Sequence, residues 1–186
     1  MPSPLIHLAA GGMAACAAAR SPWNGAEVWK VLVFCLVFTL APDLDVLPGF
    51  WGVELSSVHN QASHSLVFGL VCCLGFAWLG KGWLNNWPFG RLFGLLAVVW
   101  GLHLLLDWMT WGRGVMLLWP FSMHRFSSPI PVFYGVRYSE GLFSSLHWIT
   151  LGTEAAFLVL AWGLWRGWRT WKRRGSGEAM QGGRDE

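Results

Sequence analysis

The sequence predicts an all-α fold: a polytopic helical membrane protein with about five transmembrane helices, and no fewer than four. Three observations carry that expectation. Hydrophobic residues fill 54% of the 186 positions and charged ones only 12%, about half the roughly 25% typical of a soluble domain. Long apolar runs recur at about 4–19, 28–41, 64–80, 91–111 and 145–168, and mean hydropathy is +0.44. Fifteen tryptophans are present, a residue whose amphipathic ring suits the headgroup level of a bilayer. The length allows one helical membrane domain, residues 1–174, and the Gly-rich, charged stretch 175–186 reads as a mobile tail.

Each run has a local reason to begin or end. The first, LIHLAAGGMAACAAA, reads as a retained short helix and not a signal peptide, because no Lys or Arg precedes it and it carries His7. The second, VLVFCLVFTL, meets Pro42, which has no N–H and disfavours helix at Ala41, so the chain turns there. Ser63 or Ser65 can cap the third. The fourth and fifth reach the roughly 20 residues a full span requires, whereas the first two are short. Trp78, Trp100 and Trp162 lie well inside runs and read as packing residues. So do Cys16, Cys35, Cys72 and Cys73, whose positions suggest neither a disulfide nor a zinc site.

Lys and Arg favour the cytoplasmic side of a membrane. In a five-span chain Arg20, Lys30, Lys81, Arg91 and the cations from Arg166 onward share one side, and only Arg113, Arg125 and Arg137 fall on the other. The expected topology is therefore N-out and C-in. The basic stretch RGWRTWKRRG at 166–175 reads as a cytoplasmic anchor, and nothing else suggests a nucleic-acid partner. With this orientation all six histidines lie toward the outer side, together with Asp43, Asp45, Glu54, Asp107, Glu140 and Glu154. One face thus collects nearly every group able to bind a metal or move a proton.

Within that face, PDLD sets Asp43 and Asp45 at i, i+2. In an extended turn both would point the same way, toward one cation or two neighbouring ones; taken alone, a D-x-D also describes a solvated loop. His59 and His64 flank the start of the third run, and imidazole is a ligand for zinc and other transition metals. In GLHLLLDWMTWG, His103 and Asp107 stand at i, i+4 on one helix face. An unpaired aspartate at a membrane helix centre costs about 2.5–3.5 kcal/mol, so something compensates it: a metal, or a hydrogen bond from His103 or Thr110. His7, in the outer turn of the first run, and Glu154, about two turns into the fifth, can face the same pocket, though each alone also reads as an ordinary helix-pairing group.

In this order, PLIHLAAGGMAA, PDLD, the histidine pair ending in HSL, and HLLLDWMTWG followed by LLWP resemble the YdjM/YbcI family of inner-membrane proteins, described as membrane-bound metal-dependent hydrolases. The resemblance spans roughly residues 4–122 and implicates His7, Asp43, Asp45, His59, His64, His103 and Asp107; Glu154 lies outside its motifs. The family often has arginine after the first histidine of the pair, where this chain has Asn60, so an anion contact at that position is not carried over. A looser similarity to zinc-dependent phospholipases C rests on their H-x-x-x-E spacing, which here ends in Asp107.

The expected function is a membrane-bound metal-dependent hydrolase acting on an ester or phosphoester of a lipid or lipid-linked substrate, at the outer face of the inner (cytoplasmic) membrane. The expected cofactor is a divalent metal, Zn2+ or Mn2+, as one or two ions. The candidate ligands exceed those of one tetrahedral ion, and two ions about 3.5–4 Å apart would use them. Asp43 or Asp45 would orient or deprotonate the attacking water, and Arg113 and Arg125 would hold a phosphate. The alternative is a metal-ion or proton transporting or binding protein without hydrolase activity, against which stand the off-centre acids and the lack of an internal repeat. A third reading is a polar cluster that only pairs helices and binds no metal.

Overall fold

In a computed structural model that describes residues 2–18, 25–53, 59–84, 87–136 and 144–182, all five expected apolar runs are helical. They are α1 (Pro4–Ala18), α2 (Gly25–Thr39), α3 (Leu66–Trp83), α4 (Phe89–Trp108) and α5 (His147–Gly182). The 20 residues of α4 make about 30 Å at 1.5 Å per residue, the thickness of a hydrocarbon core. α3 and residues 147–168 of α5 are also long and apolar enough to span. After α2 the chain bends by 51° into a 3-10 helix, Pro42–Trp51, and the pair Val28–Thr39 and Pro42–Pro48 has the length and composition of a broken span or a re-entrant loop. α1, at 15 residues, is a shorter apolar helix. Among the described residues the two β-bridges, Thr110 with Phe133 and Val115 with Phe126, are isolated. The protein is a helical membrane protein.

α5 stays helical to Gly182, past Gly175, where composition predicts a mobile tail. No proline interrupts 166–182, and its Arg, Lys, Glu, Ala, Met and Gln residues favour helix. Glu54, Arg137 and Glu140 lie outside the described residues, as does Arg20.

α4 is the centre of the bundle and packs against α1, α2 and α3. Of its apolar window 44% is buried, against 22% for α3 and 11% for α5, so a polar pair on α4 is the best shielded from lipid. The core joins Val31, Cys35 and Phe38 of α2, Cys73 and Ala77 of α3, and Leu92, Leu96, Val99 and Trp100 of α4. α5 attaches at the edge. Phe157 meets Phe133 edge-on at 5.1 Å between ring centroids, and the Thr150 hydroxyl donates to the Gly135 carbonyl at 2.8 Å.

Two glycines allow close helix approach, which in a bilayer replaces the hydrophobic drive available in water. A Cβ on Gly11 would lie 3.0 Å from Cβ of Thr39, so α1 lies tight against the end of α2. A Cβ on Gly69 would lie 2.2 Å from Trp100 Nε1, so the α4 indole lies flush on α3. Gly69→Ala should therefore destabilise the folded protein by about 1–3 kcal/mol through overpacking. Gly75→Ala, on the same helix with nothing within 4 Å of its added methyl, should leave the detergent melting midpoint unchanged or slightly higher. Thermal unfolding of both variants in one detergent checks the contrast.

Candidate metal centre

The site begins with the way α2 ends. Pro42 stands three residues after Thr39 and has no N–H, while the Asp43 N–H turns to the Leu40 carbonyl at 3.1 Å in a 3-10 pattern. The Thr39 carbonyl is thereby left without its helical donor, and His103 Nδ1 bonds to it at 2.8 Å. A carbonyl can only accept, so Nδ1 carries the proton and the Nε2 lone pair of the neutral ring faces the opposite way.

What Nε2 faces is a ring of acceptors. One helical turn along α4, Asp107 Oδ2 lies 3.2 Å from it. His64, in the 3-10 turn Ala62–His64, brings its Nε2 to 3.3 Å from His103 Nε2, 3.2 Å from Asp107 Oδ2 and 3.4 Å from Asp43 Oδ1. Asp43 Oδ1 is 3.6 Å from His103 Nε2. Ser65 fixes the start of α3 just after His64, its hydroxyl accepting from the Phe68 N–H at 3.1 Å.

Asp45 goes elsewhere, which corrects the expectation that PDLD is an extended turn with both carboxylates pointing the same way. The segment is a 3-10 helix and not an extended turn, and at three residues per turn positions i and i+2 face different ways. Asp43 faces His64 Nε2 and His103. Asp45 lies on the other edge of the His64 ring, with Oδ2 at 3.3 Å from Nδ1. Its Oδ1 sits 2.6 Å from His59 Nδ1, and its Oδ2 accepts from the Asn60 N–H at 3.1 Å and from the Ser63 hydroxyl. Asn60 holds a left-handed φ of 60°, a conformation asparagine tolerates better than most residues.

These residues fit a divalent metal on two counts. Both oxygens of Asp43 and of Asp107 are buried with no hydrogen-bond donor, a costly state unless a cation or proton compensates it. One ligand atom from each of Asp43, His64, His103 and Asp107 can be chosen so that all lie within 4.8 Å of one another, a two-histidine, two-carboxylate donor set suited to zinc and neighbouring metals. Asp45, His59 and His64 also meet that distance. His64 would have to offer Nδ1 to that group and Nε2 to the first, and a neutral imidazole has one free lone pair. The geometry therefore favours one ion, with Asp45 orienting His64.

His7 lines the pocket. Its ring is fully buried and stacks on His103 at 4.0 Å and 21°, with Nε2 3.7 Å from Asp107 Oδ1. Glu154 is not brought into the cluster: its carboxylate accepts from the Ser3 backbone N–H and hydroxyl, tying α5 to the start of α1. Arg125 Nη1 donates to the carbonyls of Asn60, at 3.2 Å, and Gly114, at 3.1 Å. Arg113 is exposed. Sequence reasoning missed the Thr39 carbonyl entirely and read Ser63 only as a cap. The hydrogen-bonding role of Thr39 was readable only from the missing donor at Pro42.

A profile of the YdjM inner membrane protein family matches residues 1–175. The chain belongs to the YdjM family. It is 32% identical over 146 residues to inner membrane protein YbcI of Escherichia coli (strain K12), covering 72% of this chain and 84% of that protein. No solved structure matches. The family match includes every residue of the candidate metal site and places the protein in a membrane.

For this YdjM-family chain, purification without chelator should give about one divalent ion per chain by elemental analysis. Asp43→Asn and Asp107→Asn should abolish it, whereas Asp45→Asn should keep the stoichiometry with affinity weakened about 10–100-fold. Two ions per chain in the wild type would exclude the single-ion arrangement.

Acidity adds a second expectation. Burial alone would push His64 down, but Asp107, Asp43 and Asp45 around its ring outweigh burial and hold its pKa well above the ordinary histidine value. Metal-free His64 therefore keeps its proton at neutral pH, and an ion must displace it. Affinity should rise steadily with pH through the neutral range. Calorimetry in buffers of different ionisation enthalpy should find roughly one proton released per ion bound.

Proposed function

We propose that this protein is a metal-dependent hydrolase that cleaves an ester or phosphoester of a lipid or lipid-linked substrate, with its site on the non-cytoplasmic side. One observation carries the reading: two buried carboxylates and two oriented imidazoles converge, with one ligand atom of each within 4.8 Å of the others. Asp43, His64, His103 and Asp107 would hold the ion. When bound, a divalent ion such as Zn2+ or Mn2+ supplies Lewis acidity and an acidified water at neutral pH.

The remaining work falls to the chain itself. The Thr39 carbonyl holds the His103 ring by its Nδ1 edge, and the Ser63 hydroxyl at 2.9 Å, with the Asp45 carboxylate beside it, holds the His64 ring by its own, so neither can rotate away. Asp45 also grips His59 at 2.6 Å, the carboxylate–imidazole pairing that steadies a histidine able to take up and return a proton. Arg125 pins the His59–Asn60 turn. Burial, and after it the charge of Arg113, push the Arg125 pKa down, so an anionic phosphate beside the two guanidiniums would relieve their repulsion.

Depth and orientation support the same reading. His103 and Asp107 are five residues and one residue from the end of α4, about 7.5 and 1.5 Å along its axis. That is close to the membrane interface, whereas transport sites usually lie near the midplane. The distribution of Lys and Arg supports an orientation with this end of the bundle outside the cytoplasm.

The test is hydrolysis in proteoliposomes by chelator-stripped protein, with and without Zn2+ or Mn2+, on fluorescent phospholipid esters. Metal should restore activity, and His103→Ala should lower it by roughly 100-fold or more. Turnover that survives both chelator and His103→Ala would rule the reading out.

A further inference from the structure

Two surfaces are left unused by the hydrolase reading: the exposed apolar residues of the connection 109–136, from which that reading takes only Arg113 and Arg125, and the outer side of the 3-10 helix Pro42–Trp51. The connection is a built element. Val115 and Phe126 exchange backbone hydrogen bonds at 2.9 Å, and Trp111 N–H donates to the Phe133 carbonyl at 2.9 Å. Gly114, at φ 72°, sits where any Cβ would lie 2.5 Å from the Phe126 carbonyl oxygen. The element is tied to the metal centre from two directions. Leu66 N–H, two residues after His64, donates to the Leu117 carbonyl at 2.9 Å, and Arg125 holds the Asn60 carbonyl.

Much of its exposed surface is apolar. Trp111, Met123, Ile130 and Phe121 are exposed, the last at 85%, and the 3-10 helix adds Leu44 and Trp51, the latter at 79%. Leu44 stands between Asp43 and Asp45, so the segment that supplies acids to the centre turns a leucine outward. Water-facing surfaces rarely gather so many exposed large hydrophobes. The position identifies what covers them. Trp111 follows the last residue of α4 by three, and Leu44 follows the last residue of α2 by five. The patch therefore continues the lipid-facing sides of the helices at the level where the spans end. Tryptophan and phenylalanine, with Arg113, Arg125 and His124 in the same element, have the composition of a surface seated at the headgroup boundary.

We propose that this surface is a collar embedded in the headgroup–acyl boundary of the leaflet, and that the metal centre receives its substrate laterally, as the ester or phosphoester region of a membrane phospholipid. The substrate half rests on the hydrolase reading; the seating of the collar does not. The collar makes the leaflet itself the path of entry. A water-soluble ester would have to approach through a rim that lies in lipid.

The experiment measures depth first. With the four cysteines replaced by alanine, single cysteines at Phe121, Trp51 and Val98 are labelled with a nitrobenzoxadiazole fluorophore and reconstituted in phosphatidylcholine–phosphatidylglycerol vesicles. Labels at 121 and 51 should be quenched most by lipids brominated near the glycerol, and the label at Val98, in mid-α4, by lipids brominated deep in the chain. Quenching at 121 and 51 by aqueous iodide with no response to brominated lipid overturns the collar, whatever the protein hydrolyses. For lateral entry, the double variant Phe121→Ser, Met123→Ser should raise KM for a vesicle-embedded ester about tenfold and leave a short-chain soluble ester unaffected. Equal effects on both substrates, or on neither, overturn it. If no ester is cleaved by the wild type, the hydrolase reading fails while the depth result stands.

Discussion

Two buried carboxylates and two imidazoles converge at the end of α4 with only the His64 proton to share, and the arrangement around them depends on resolving that confrontation. Asp43 and Asp107 carry no donors on any carboxylate oxygen, and His103 has already given its only neutral-state proton to Thr39. A proton on His64 relieves part of the repulsion, which is why its pKa is held high. It cannot relieve all of it, because two carboxylates and a second imidazole lone pair converge on the same few ångströms. A divalent cation held by Asp43, His64, His103 and Asp107 would answer both carboxylates at once. The cost of burying uncompensated carboxylates, several kcal/mol each even after relaxation, explains why the ligands come from the most buried helix and from segments clamped against it.

Pro42 organises much of this. As a residue without an N–H it ends α2, and as the residue three after Thr39 it withholds the donor that a helical carbonyl would find there. The 3-10 helix it begins then separates Asp43 from Asp45 by angle, so that one faces His64 Nε2 and the other Nδ1. One imide-type nitrogen thus sets the tautomer of His103 and divides two adjacent acids between a ligand role and an orienting role. Gly11 completes the wall by letting α1 close on Thr39, which seats His7 over the His103 ring.

The helical periods made part of this legible in the sequence. His103 and Asp107 could be placed on one face because α-helical spacing is regular, and all five apolar runs could be read as helices from their length and composition. The division of labour between Asp43 and Asp45 could not, because D-x-D reads oppositely in extended and 3-10 backbone and local sequence does not choose between them. Glu154 was misplaced for a different reason: its partner Ser3 is 151 positions away, and nothing local to either residue signals the pairing. The ordered connection 109–136 has neither a helical nor a strand period. Its structure comes from single bridges and from a left-handed glycine, which sequence patterning does not reveal.

Placement at the helix ends, and not at mid-span, follows from what such a site requires. A histidine ligand must be held by its far nitrogen, and in a bilayer core every backbone carbonyl that could hold it is already engaged in the helical ladder. Where a helix stops, a carbonyl is left without its helical donor, as Thr39 is. The same level of the membrane admits loops with exposed polar backbone, which is where Asp45, Asn60 and Ser63 find their geometry. It is also where a lipid carries its ester and phosphate groups. The constraint that locates a rigid metal centre in this fold and the chemistry that a hydrolase would need to meet therefore coincide at one depth.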